Sequence, residues 1–207
     1  MAKPRVVRLF QAVWNSFDAM TLSWPLLTKC TIGGVLAGCG DVFAQNVEQW
    51  RAEEAQPAPC DPARCGRIVV WRAVLHTPAT HFWFNVMDRC LVGPATTGCA
   101  VACKVVLDQA IASPAMHALF FIFMALLEGR SADEAVQRSV AGLPGTMLCS
   151  WCYWPWVHIA TFRLVPLHHR VVWASWWSML WMALLSALNE RQRWHCPGGR
   201  RPGPCTV

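Results

Sequence analysis

The sequence predicts an all-α fold, a polytopic transmembrane helical bundle with four to five spans, and three observations carry that reading. The chain is 55% hydrophobic and only 14% of its 207 residues are charged, where soluble domains carry roughly a quarter. Its charges are clustered, which leaves apolar runs near the ~20 residues that a helix needs to cross ~30 Å of hydrocarbon. Most of those runs lack the polar stripe at helical period that a soluble amphipathic helix shows.

Taken in order, residues 1–18 form a basic amphipathic amino-terminal segment. Lys3, Arg5 and Arg8 stand there among Val6, Val7, Leu9, Phe10, Val13, Trp14 and Phe17, with no acidic residue before Asp18. That pattern matches a mitochondrial targeting helix and equally a basic juxtamembrane segment. Residues 19–189 hold the bundle. Residues 19–47 contain only Lys29 and Asp41, residues 68–87 only Arg72, and residues 109–127, 139–162 and 171–189 no formal charge. Residues 118–127 are apolar on every side, which suits a membrane helix and not a barrel strand alternating every second residue.

Three of the four connections between the runs carry loop chemistry. Residues 48–66, with Glu48, Arg51, Glu53, Glu54, Pro57, Pro59, Asp61, Pro62 and Gly66, read as a solvated loop. Glu128 to Glu134 is polar, and Ser131 followed by Glu134 predicts a capping box at the next helix. The stretch from Arg163 to Arg170 is short enough to demand an antiparallel helical hairpin. Residues 190–207, rich in Arg, Gly and Pro, read as a disordered basic tail. No internal repeat divides the chain.

Counting Lys and Arg on the two sides of a five-span arrangement gives seven against nine, which leaves orientation open and keeps a four-span alternative alive. The net charge of +6 sits mainly at the two ends, without a basic face interleaved with aromatics. Membrane lipids are therefore the expected partner, and direct nucleic-acid binding is not.

Motifs along the chain, from about Trp14 to Ser186, occur in a recognisable order. Trp14, Phe17, Pro25, Thr28, Lys29, Gly40, Asp41 and Gln45 come first, then Arg67, Arg72, Pro78, His81, Trp83 and Phe84. Lys104, Asp108, Gln109 and Pro114 follow, then Trp154, Pro155, Phe162, Val165, Pro166 and Arg170, and finally Trp181, Leu185 and Ser186. In this order the chain resembles the Mpv-seventeen/peroxisomal membrane protein 22 family of organellar membrane proteins. Phe17, Phe84, His158, Thr161 and Leu184 depart from the usual tyrosine, tyrosine, glutamine, asparagine and tyrosine. The resemblance implies a channel-like or pore-associated protein for small solutes, in the mitochondrial inner membrane or alternatively the peroxisomal membrane. It further implies links to reactive-oxygen handling and mitochondrial DNA maintenance. A non-conducting scaffold or assembly factor is the alternative reading.

Ionisable groups at membrane depth are costly and usually face a bundle interior or an aqueous cavity. Asp41, Arg72, Lys104, Asp108 and Gln109 are the candidates. Either they line a polar interior used for permeation or they form ion pairs that fix helix packing. Lys104 and Asp108, four apart, are expected on one helical face. Gly34 and Gly38 make a GxxxG step for close helix packing, within the chain or in a homo-oligomer.

Thirteen tryptophans against one tyrosine suit interfacial and bundle packing. Of eleven cysteines, Cys149 and Cys152 form a CxxC inside an apolar run. There they lack the helix amino terminus that activates such a pair in oxidoreductases, and a buried cysteine behaves as a small hydrophobe. Cys60 with Cys65, and Cys196 with Cys205, can pair only on an oxidising side. His76, His81, His117 and His158 fall in apolar runs, and no HExxH-type ligand spacing or triad appears. No catalytic residue, metal or cofactor is expected.

Overall fold

The computed structural model describes residues 5–51, 60–94 and 96–194, and these are all-helical, with no strand among the described residues. Among the described residues six helices follow one another. α1 is Arg5–Ser23 and α2 is Pro25–Arg51. α3 runs without a break over 62–91, α4 is Gly98–Leu127, α5 is Ala132–Leu164 and α6 is Arg170–Trp194.

Helices α2 to α6 close into a ring. α2 packs against α3 and α6, α3 against α4, α4 against α5, and α5 against α6, while α1 docks beside α2. Charge and apolar surface are distributed inside out. Lys29, Asp41, Arg72, Lys104, Asp108 and Arg170 are buried, whereas Val35, Phe43, Val140, Leu148, Trp156 and Leu164 are exposed on the outer surface. Water would penalise both halves of that arrangement, and a hydrocarbon surround removes the penalty on the second.

Two helical stretches, Pro25–Trp50 and Gly98–Leu127, are long and apolar enough to cross a membrane by length and composition. The charge-free run 139–162 is less apolar because Pro144, Trp151, Trp154, Pro155, Trp156 and His158 dilute it. The expected solvated loop at 48–66 is shorter than the composition suggested. Glu48 closes the last turns of α2 and Arg64 the first turn of α3, the two joined by a bidentate pair at 2.9 and 3.2 Å. Residues 52–59 lie outside the described residues. Likewise the expected tail is helical as far as Trp194, and the rest of it lies outside the described residues.

Local chemistry explains each boundary. Proline disfavours helix in the residue before it, so Pro25 breaks the first predicted span at Trp24 and separates α1 from α2. The Thr28 hydroxyl donates to the Met20 carbonyl across that break, at 3.0 Å. Asp61 caps α3, accepting from the backbone N–H groups of Ala63 and Arg64 at 2.9 and 3.1 Å. Those donors hold its carboxyl below the usual carboxylate range. The predicted capping box opens α5: Glu134 N–H donates to Ser131 Oγ, and Ser131 N–H to Glu134 Oε2, both at 3.3 Å.

Three π-helical stretches interrupt the regular winding, Trp71–His76 and Met87–Leu91 in α3 and Asp108–Ala112 in α4. A proline ring clashes with the carbonyl four residues back. For Pro78 and Pro114 those carbonyls, of Val74 and Ala110, lie inside two of the widened stretches, which make room for the ring. The third ends α3: the N–H groups of Val92 and Gly93 both reach the Met87 carbonyl, at 2.9 and 3.2 Å. Gly93 stands at φ +86°, a conformation that glycine adopts without a Cβ penalty.

The GxxxG step packs inside the chain. A Cβ on Gly34 would meet Ala73 and Val69, and one on Gly38 would lie 3.1 Å from Val69 Cγ2, all on α3. Gly40 faces Met179 of α6 in the same way. Gly34→Leu is therefore expected to lower the stability of the single chain by about 1–3 kcal/mol through overpacking. Detergent unfolding would register that loss, with no change in the number of chains on native gels.

Candidate functional site: a cavity ringed by buried polar groups

The ring lines a half-open cavity of about 490 Å³ to which all five helices contribute, through Ala37 of α2, Arg72 of α3, Asp108 of α4, His158 of α5 and Ser175 of α6 among others. The π stretches bring the polar groups there. Arg72 and His76 belong to the first and Asp108 and Gln109 to the third, in keeping with the frequent occurrence of π-bulges at functional sites.

Arg72 is a buried cation with no carboxylate partner among the described residues. One terminal nitrogen donates to His76 Nδ1 at 3.0 Å and the other to Ser175 Oγ at 3.3 Å, while its Nε is buried without a partner. Asp108 is held by nitrogens of three side chains. Trp83 Nε1 donates to Oδ1 at 3.0 Å, Gln109 Nε2 to Oδ2 at 3.0 Å, and His158 Nε2 lies 3.0 Å from Oδ2. His158 stacks between Trp154 and Phe162, with ring centroids 5.5 and 5.6 Å away. One fixed positive group and one fixed negative group thus share the wall of a single cavity, and both are pinned.

Of the five residues predicted to line one interior, Arg72, Asp108 and Gln109 do so. Lys104 and Asp41 do not. Lys104 and Asp108 stay one α-helical turn apart, the Asp108 N–H donating to the Lys104 carbonyl, and both are buried, yet their side chains take different partners. The Lys104 ammonium instead lies 2.7 Å from Asp88 Oδ1, and Arg170 binds the other oxygen of Asp88 at 2.8 Å. All three side chains are at most 5% exposed. Arg170 Nε also donates to the Val165 carbonyl at the end of α5, at 3.0 Å. Asp41 belongs to a different network. Arg64 Nε lies 2.9 Å from it, Gln45 donates to it at 2.7 Å, and Gln45 is itself tied to the backbone of Asp61.

The remaining motif residues hold the frame. Lys29 donates to His81 Nδ1 at 3.2 Å. Phe162 is fully buried beneath the cations of Lys104 and Arg170. Trp181 packs on Tyr153, Trp154 and His117. Pro155 lies within α5, and Pro166 in the turn before α6, where its carbonyl accepts from His169 N–H at 2.9 Å. Ser186 is placed on α6. Cys149 and Cys152 carry free thiols in the middle of α5, far from a helix amino terminus, and Cys60 and Cys65 at the start of α3 are free as well. Cys196 and Cys205 lie outside the described residues.

Sequence reading passed over Asp88, although it stands one residue beyond an otherwise near-neutral run. A carboxylate in that position, with a buried lysine and a buried arginine to be neutralised elsewhere, is the signal that points to it.

Together the ring, the apolar outer surface and the charged interior define a helical membrane-bundle protein. Residues 125–186 match the Mpv17 / PMP22 family. The chain is 32% identical to protein sym-1 of Neurospora crassa over 84% of its own length and 96% of that protein. It is 27% identical to the mitochondrial inner membrane protein Mpv17 of Bos taurus, over 84% of this chain and 96% of that one. It is 26% identical to peroxisomal membrane protein 2 of the same organism, over 81% and 84%. The chain belongs to the Mpv17 / PMP22 family and is an organellar membrane protein. No solved structure matches it.

Proposed function

We propose that this chain crosses an organellar membrane, the mitochondrial inner membrane first and the peroxisomal membrane as the alternative, four or five times and conducts small solutes through its helical ring. The observation that carries this reading is the cavity of about 490 Å³ with Arg72 and Asp108 both on its wall. A purely structural bundle gains nothing from a buried guanidinium that lacks a counter-charge, because an uncompensated charge in a low-dielectric interior is costly. A pore gains an electrostatic selector.

No reaction is assigned to the chain, and its partners are lipids and the permeating solute, with a homo-oligomer as a further proposal and no nucleic acid. Family resemblance supports a place in reactive-oxygen handling and mitochondrial DNA maintenance as a downstream consequence. The second reading, a non-conducting scaffold, draws on the closed pairing of Lys104, Asp88 and Arg170, which rigidifies one end of the ring.

Single-channel recording of the purified protein in planar bilayers separates the two. Arg72→Gln should shift reversal potentials toward cation selectivity and Asp108→Asn toward anion selectivity, with conductance retained in both. A folded, reconstituted protein that never conducts, or selectivity indifferent to both substitutions, would defeat the pore.

A further inference from the structure

A second group of polar side chains lies away from the cavity, where α1 meets the turn between α5 and α6. The rings of His168 and His169 stand side by side in that turn, centroids 4.1 Å apart. Both turn Nε2 toward a single oxygen of α1, Asp18 Oδ1, at 3.2 and 3.0 Å. The three atoms all lie within 4.8 Å of one another.

We propose that Asp18, His168 and His169 form a binding site for a divalent transition metal of the zinc class, which would clamp α1 to the α5–α6 turn. Two imidazoles and one carboxylate are a ligand set zinc takes when a fourth position is left to water. With metal–ligand bonds of about 2.0–2.1 Å, the edges of a tetrahedron are about 3.3 Å, close to the separations between Asp18 and the two rings.

Asp18 Oδ1 is buried where the two rings converge on it. The arrangement is also braced. Phe17 stacks on His169 at 5.4 Å and 10°, and Trp14 covers it at 5.4 Å. His169 is followed directly by Arg170, which anchors the turn to α3 through Asp88. Nitrogen donors favour zinc, copper or nickel over calcium and magnesium. Asp18 lies about 150 residues from its partners in sequence, so no spacing motif could display the site.

The test uses the full-length protein in detergent micelles, its thiols alkylated first so that the cysteines cannot compete. Co²⁺ is titrated as the probe and then displaced by Zn²⁺. The expected result is saturation at one equivalent with visible d–d absorption, unaffected by excess Ca²⁺ or Mg²⁺. Asp18→Asn should weaken binding by at least about tenfold, in the range by which losing a metal-site group lowers affinity, and His168→Ala with His169→Ala should abolish it. Circular dichroism without metal reports the fold, and if the double variant misfolds, His168→Gln supplies the comparison from the more exposed ring. No saturable binding by the alkylated wild type, or identical titrations for wild type and a folded variant, would overturn the site.

Discussion

Asp88→Ala is expected to cost about 3–5 kcal/mol of folding free energy, because it removes the carboxylate that the buried cations of Lys104 and Arg170 share. The attraction itself is not the main term. Desolvating three charges offsets most of what their mutual Coulomb energy contributes, so the intact cluster is nearly balanced and only its breakage is severe. Lys104→Met should cost much less, since Asp88 then retains Arg170 at 2.8 Å and the methylene volume is preserved. Unfolding in mixed micelles of increasing denaturing detergent measures both. An Asp88→Ala loss below about 1 kcal/mol, the range of solvent-exposed ion pairs, would mean that water reaches the cluster.

Phe162→Ala should be nearly as damaging, at about 3–5 kcal/mol by the measure of buried aromatic truncations. Phe162 is fully buried in a core with Phe84, Met87, Val101 and Val171. It meets Phe84 edge-on at 5.5 Å and carries the Arg170 guanidinium over its face at 5.4 Å. In a bilayer the transfer part of that cost weakens, because lipid is as apolar as the site. What remains is the cavity left in a close-packed core and the lost cation–π contact. Phe162→Leu fills most of the volume and should cost under about 1.5 kcal/mol. If the two variants unfold alike in the same detergent titration, the packing account fails and the ring matters only for its charge contacts.

Locally encoded features are legible in the amino-acid sequence. Ser131 and Glu134 announce their capping box because both partners lie within one turn. Gly34 and Gly38 announce a close helix approach, although the approach is to α3 of the same chain and not to a second copy. Arg72, Asp108 and Gln109 stand out as interior groups because charge inside an apolar run has few other places to go.

Pairing is not legible in this way. Lys104 finds Asp88 rather than Asp108, and Asp41 finds Arg64, an arginine that reads as part of a loop. Lys104 and Asp108 are a regular α-helical turn apart, so their spacing places them near each other without telling which of them a charge from another helix will claim.

The sequence by itself determined that this is an apolar helical bundle carrying internal charge, the capping box and the tight turn that bound its later helices, and which family it resembles. Those properties depend on composition, caps and prolines, which act over a few residues. Tertiary structure alone decided which charges meet, that three of the five candidates face one cavity, and that Asp18 reaches His168 and His169. Arg170 and Asp88 are separated by 82 positions, and only the closing of the helical ring brings such groups within reach.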